Sequence, residues 1–261
     1  MKFRRGIASV VLSTVTLSVP LMANPQVATA SQILHAPRIA AKAPKASSTQ
    51  NAGWSSSNWS GYAITGGTYG SITGTWTVPS VQASKKATYS SSWIGIDGFN
   101  NSNLIQTGTE QDYYSGSVHY GAWWEILPAA ETVITGMTIH PGDSMSASIQ
   151  NLGSGQWSIS LKDVTTGQSF STQQAYSGPG SSAEWIQEAP TVGGRVATLA
   201  KYSETPFDPG TVNGVSPNLV ASDGGVMVQN GTQVSTPSNP DSDTDGFNML
   251  YGSAVPTPPA S

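Results

Sequence analysis

From Trp54 onward the chain is written in short runs whose apolar residues fall at every second position, broken by Gly, Pro, Asn and Asp. Ile72-Thr-Gly-Thr-Trp76-Thr-Val78 alternates and stops at Pro79, and Trp157-Ser-Ile159-Ser-Leu161 alternates toward the turn at Thr166-Gly167. Residues 133–139, 145–149, 196–202, 225–228 and 247–251 follow the same pattern. A side chain repeats its direction every second residue in a strand and every 3.6 residues in a helix, so this period fits sheets with a buried face. No stretch longer than two turns keeps a helical period. The expectation is an all-β body of antiparallel strands.

The ends read differently. Lys2, Arg4 and Arg5, an uncharged and largely apolar stretch over 6–23, and Ala28-Thr29-Ala30 have the layout of a secretory signal peptide spanning 1–30. Ser13, Thr14, Thr16, Ser18 and Pro20 make a poor spanning helix, so a secreted, extracellular protein without membrane attachment is expected. Residues 31–52, rich in Ala, Pro, Ser and Lys, read as a basic linker or pro-segment. The folded body is expected over 53–252, with 253–261 as a flexible C-terminal tail.

Charge narrows the chemistry. All fifteen acidic residues lie from Asp97 onward, and residues 53–261 hold only five basic ones, a net charge of −10 with histidine neutral. Such a surface repels phosphate backbones and excludes a nucleic-acid partner. A body with few charges also accumulates little like charge on acidification, which suits an acidic environment. There is no cysteine, which removes thiol nucleophiles and Cys-ligated zinc and leaves the fold standing on core burial. The body holds two histidines, His119 and His140, with no metal-ligand spacing between them and no G-x-S-x-G elbow to serve. Carboxylates are the acid–base groups in supply. Asp241-Ser-Asp243-Thr-Asp245-Gly246 matches the first half of an EF-hand loop, but its twelfth position is Gly252 and its flanks read as strand and turn. The local sequence favours a polar turn there, and no metal or cofactor is expected.

Three segments join tryptophan to an acid or amide. In Ser92-Trp93-Ile94-Gly95-Ile96-Asp97, alternation puts Trp93 and Asp97 toward a cleft or solvent and the isoleucines toward a core. In Tyr120-Gly-Ala-Trp123-Trp124-Glu125-Ile126, Trp123 and Glu125 share a face, and Ala183-Glu184-Trp185-Ile186-Gln187-Glu188 sets Glu184 beside a bulky aromatic. Each segment singly is equally a core tryptophan with an outward acid. Pattern alone stops at an acidic, exported β-sandwich.

Taken in order, Trp93-Ile-Gly-Ile-Asp97-Gly, Leu104-Ile-Gln106-Thr-Gly108 and Ala183-Glu184-Trp185-Ile186 resemble the glutamic peptidase (eqolisin) family. Asn58-Trp59-Ser60-Gly61-Tyr62, Gly74-Thr-Trp76-Thr-Val-Pro79 and residues 120–125 resemble its opening and aromatic-acid strands, so the resemblance runs over about residues 54–252. It implies a lectin-like (concanavalin A-like) sandwich of two antiparallel sheets with a cleft on one of them. It further implies a secreted acid endopeptidase, a monomer acting on protein or peptide substrates. The family's glutamine–glutamate dyad falls on Gln106 and Glu184. Trp59, Trp93, Asp97, Trp123 and Glu125 match supporting or substrate-cleft positions. Glu110 stands where fungal members carry an aspartate, and the cysteines that those members place in the motifs are missing, as in a bacterial-type branch.

The implied chemistry is coherent. A carboxylate at Glu184 would take a proton from water and return it to the leaving nitrogen, while the Gln106 amide holds that water and donates N–H to the oxyanion, a donor worth roughly 3–4 kcal/mol. An amide does not titrate, and a carboxylate near its reference pKa of about 4.3 is still a base in acid. Two other readings stay open on the residue pattern. A glycoside hydrolase would use two of Asp97, Glu125 and Glu184 and have no need of Gln106; a sugar-binding module would use the aromatic strands alone.

Overall fold

The computed structural model describes residue 1, residues 32–42 and residues 52–261; the signal-like stretch over 2–30 lies outside the described residues. Thirteen strands of five or more residues carry the body: β1 (Trp59–Thr65), β2 (Ser71–Thr77), β3 (Ser91–Ile96), β4 (Ile105–Tyr114), β5 (Ser117–Ile126), β6 (Ser144–Gly153), β7 (Gln156–Asp163), β8 (Ser169–Ala175), β9 (Ser182–Glu188), β10 (Thr205–Val212), β11 (Gly224–Gln229), β12 (Thr232–Pro237) and β13 (Phe247–Tyr251). Among the described residues the helical element is a 3₁₀ turn at Ala221–Asp223. No described helix is long and apolar enough to cross a membrane.

The strands pair in the order β8-β7-β6-β2-β10-β13-β12-β11-β1-β9-β3-β4-β5. This ribbon folds over at the β11–β12 hairpin, so the expected sandwich forms from two layers joined at one corner. Cross-layer contacts show the closure: Trp185 Nε1 donates to the Thr73 carbonyl at 2.8 Å, Trp76 Nε1 to Thr109 Oγ1 at 3.0 Å, and the Tyr62 and Phe247 rings lie 4.5 Å apart. The core between the layers holds Ile72, Trp76, Ile94, Ile96, Met145, Ile159 and Trp185.

Two expected strands are largely absent. Within 133–139 only Val133 is paired, in the short strand Thr132–Val133, and within 196–202 only Val196, in Arg195–Val196, with isolated bridges at Leu199 and Tyr202. Ile134, Met137, Ile139, Leu199 and Tyr202 are nonetheless buried. Coil laid over a sandwich can bury alternate residues without a ladder, so alternation there reports burial rather than pairing. The tail also differs from expectation: Asn248 Nδ2 donates to the Thr257 carbonyl and Pro256 is buried.

The Trp185 indole sits in a slot made by two glycines. Gly74 and Gly210 are cross-strand partners on β2 and β10. A Cβ on Gly74 would stand 2.6 Å from Ile94 Cγ2, and one on Gly210 2.6 Å from Trp185 Nε1. Gly74→Ala is therefore expected to cost about 1–3 kcal/mol by overpacking. Denaturant unfolding checks this, and unchanged stability would show that the slot has slack.

Candidate active site

Every residue of β3 and β9 is buried, so both of their faces are covered. One face meets the core. On the other lies a second apolar cluster, Trp59, Trp93, Leu104, Trp123 and Ile186. Here β9, β3, β4 and β5 run side by side. Their register places Glu184, Gly95, Gln106 and Glu125 in one cross-strand row and Glu188, Ser91, Glu110 and Gly121 in another, four residues along. Cross-strand partners share a face, so this side of the sheet gathers one amide and several carboxyls around tryptophan.

What covers the cluster is the chain's own residues 32–42. Ile33–Leu34 pairs with Thr191–Val192, Trp59 Nε1 donates to the Ala36 carbonyl at 3.0 Å, and the Arg38 guanidinium lies 4.1 Å from the centre of the Phe99 ring. His35 is the residue at the centre. Its carbonyl accepts from Gln106 Nε2 at 2.8 Å, and its N–H donates to Glu125 Oε2 at 3.0 Å. Its imidazole stacks on Trp123 with ring centroids 3.5 Å apart, Nδ1 2.8 Å from Glu188 Oε2 and Nε2 3.1 Å from Glu131 Oε2. Gln106 Nε2 also donates to Glu125 Oε2 at 2.7 Å, while Gln106 Oε1 is buried with no hydrogen-bond partner among the described residues.

The electrostatics follow from burial and from that imidazole. Burial alone would lower the His35 pKa, but Glu188, Glu131 and Glu125 outweigh it and hold the ring charged up to a pKa of about 10. Burial raises Glu188, with His35 and the Trp93 N–H at 2.8 Å opposing it. Burial likewise lifts Glu125 to about 8, against the pull of His35, and Asp112 to about 7, while Glu110 is pushed well above its usual range by burial and by Glu131. Glu131 goes the other way: burial would raise it, but its bonds with His35 and Glu110 leave it lowered. His35, Glu110 and Glu131 bring three possible ligand atoms within 4.8 Å of one another; pairing between the imidazolium and the carboxyls accounts for that grouping.

Of the residues expected from sequence, Gln106, Glu125, Trp59, Trp93 and Trp123 converge here, and Glu110 flanks them beside Glu131. Asp97 does not. It lies past the end of β3 with φ 73°, and its carboxylate accepts from Tyr176 Oη, the Gly180 and Ser181 N–H groups, Ser181 Oγ and Asn101 Nδ2. It braces the loop ahead of β9 and does not line the cleft; strand alternation was carried one residue beyond where the strand ends. Glu184 occupies the row of Gln106 two strands away, with Gly95 between them, yet neither of its oxygens makes a hydrogen bond among the described residues. Burial, then Asp97, pushes its carboxyl well above the usual range, and the nearby Ser182 hydroxyl opposes this without bonding geometry. Glu188, Glu131 and His35 were not singled out from sequence. Glu188 was readable as the second acid of its segment on the same face as Glu184; Glu131 and His35 carry no local mark.

The sequence profile of the peptidase A4 family matches residues 57–246. Aspergillopepsin-2 of Aspergillus niger is 29% identical over 176 residues, 58% of this chain and 62% of that protein. Scytalidopepsin B of Scytalidium lignicola is 34% identical over 137 residues, 51% of each. The chain thus spans between half and two thirds of the length of these curated relatives. A crystal structure of scytalido-glutamic peptidase with a transition-state analogue inhibitor superposes with a TM-score of 0.62 at 26% identity, covering 75% of this chain and 98% of that one.

Proposed function

Because the chain belongs to the peptidase A4 family, the eqolisins, we propose that its body is an acid-acting endopeptidase whose reaction is run by Gln106 and Glu188 and whose cleft is closed by residues 32–42. One observation carries this reading: the Gln106 amide donates to the peptide carbonyl of His35 while the Glu188 carboxylate lies against the same residue. A peptide carbonyl held by an amide N–H beside a carboxylate is the arrangement that amide hydrolysis needs. With the segment gone, Gln106 Nε2 is free to donate to a substrate oxyanion, and its carbonyl oxygen to hold water. Glu188, kept in place by the Trp93 N–H, takes the proton from that water and passes it to the departing nitrogen. Glu125 fixes the Gln106 amide in the donating orientation.

Glu188 takes the role that the family resemblance laid on Glu184. A base must lie within hydrogen-bond reach of the water it deprotonates, and the Glu184 carboxyl reaches none of the groups around His35. The bound segment acts as an unproductive substrate: its carbonyl fills the oxyanion position, and its imidazolium pairs with the base where water would stand.

The test is acidification of the full-length chain to about pH 4, near the carboxylate range, followed by incubation with a protein and with a polysaccharide at room temperature. Peptide cleavage is expected to survive chelators and thiol reagents, since the proposed groups need neither metal nor sulfur. Release of reducing sugar without peptide cleavage would support the glycosidase reading. Export directed by residues 1–30 is part of the proposal, and a mature chain absent from the culture medium would count against it.

A further inference from the structure

We propose that Asp208, Asp241 and Asp245 form a calcium site that braces the turn ahead of β13, away from the candidate active site. One carboxylate oxygen from each lies within 4.8 Å of the others, a spread that a single cation with oxygen ligands at about 2.3–2.6 Å can span. Asp241 is the inner member, 6% exposed. Its Oδ1 accepts from the N–H groups of Asp245 and Gly246, both at 3.2 Å, but its Oδ2 is buried with no hydrogen-bond partner among the described residues. That oxygen is aimed at the cluster: a Cβ on Gly246 would stand 2.5 Å from it and 2.7 Å from Asp208 Cγ. Asp245 Oδ1 is also buried, and the Asp245 carboxyl lies against that of Asp208. No lysine or arginine forms an ion pair with the three carboxyls among the described residues.

An all-carboxylate donor set with no nitrogen or sulfur suits a hard ion, and calcium tolerates irregular geometry where magnesium demands a near-ideal octahedron.

The loop sequence supplies Asp241, Asp243 and Asp245 with calcium-loop spacing but Gly252 where the closing glutamate belongs. The tertiary fold supplies the missing acid from elsewhere. β10 pairs with β13 through Phe207 and Phe247, so the next residue along, Asp208, comes opposite Gly246. The β10–β2 ladder is irregular between Phe207 and Gly210, which frees Asp208 from regular pairing just there.

Calorimetric titration of the metal-free full chain with calcium chloride at neutral pH, together with thermal unfolding, tests the site. One calcium per chain is expected, with a rise in Tm of ~5–10 °C at about a hundredfold excess over Kd. Magnesium at the same concentration should give a much smaller shift. Asp208→Asn and Asp241→Asn should each weaken calcium binding by at least ~10-fold and remove the shift, and Asp208→Asn alone decides if Asp241→Asn does not fold. No binding and no shift at millimolar calcium in the unaltered chain would overturn the proposal, as would undiminished binding by Asp208→Asn. Neither readout involves peptide cleavage, so the site stands or falls separately from the proposed activity.

Discussion

Glu188→Gln is expected to lower peptide hydrolysis by at least ~10²-fold through loss of the general base, and Gln106→Ala by ~10²–10³-fold through loss of the oxyanion donor. Glu184→Gln should leave turnover nearly intact. The contrast rests on surroundings. Glu188 has an N–H donor from Trp93 and shares His35 with Gln106. Glu184 is fully buried, has no partner among the described residues, and burial raises its pKa well above the ordinary carboxylate range. Gln is nearly isosteric with Glu, so its introduction there breaks no hydrogen bond. Because Gln106 and Glu188 work on one water, the double variant should be scarcely slower than either single. Gln106→Glu should also fail, since a second carboxylate beside Glu125 and Glu188 would repel both. Initial rates on a peptide substrate in acid, with circular dichroism to confirm folding, read all of these. Turnover lost by Glu184→Gln and kept by Glu188→Gln would return the base to Glu184.

Removing the His35 side chain, as His35→Ala, should weaken docking of residues 32–42 by ~10²–10³-fold, the scale of breaking a buried ion pair. The full chain should then show activity without a lag on acidification. In the unaltered chain, latency should depend on pH in one direction. The raised His35 pKa means its contribution is fully present below about 6.5 and is lost only as pH rises through about 10, so the imidazole is not what acid releases. Glu131 is depressed, so its contribution is present above the ordinary glutamate value of 4.5 and is lost as pH falls through its lowered pKa. Glu188, Glu125, Glu110 and Asp112, which also face the ring, are all raised with burial as the largest cause, and they supply no loss on the acid side. Latency is therefore expected at neutral pH, with release below about pH 4. Mass spectrometry and rate measurements after stepwise acidification follow both events. A full chain with residues 32–42 attached that cleaves as fast at neutral pH as a chain lacking them would refute the closure.

The sequence by itself determined the all-β class, most of the strands, and which strands carry Gln106, Glu125, Trp93 and Trp123. Each of these is set by a period of two along a single strand or by a short motif. It could not separate Glu184 from Glu188, because residues four apart on a strand point the same way; only the neighbours differ, Asp97 beside one and Trp93 beside the other. It could not show that Asp97 turns out of its strand to hold residues 180–181, nor that His35, in a stretch composed like a linker, enters the cleft. The partnership of Asp208 with Asp241 and Asp245 depends on the pairing of β10 with β13. Local periodicity says which way a side chain faces; which groups it then meets is decided by pairing between distant segments, and that is fixed only when the layers close on each other.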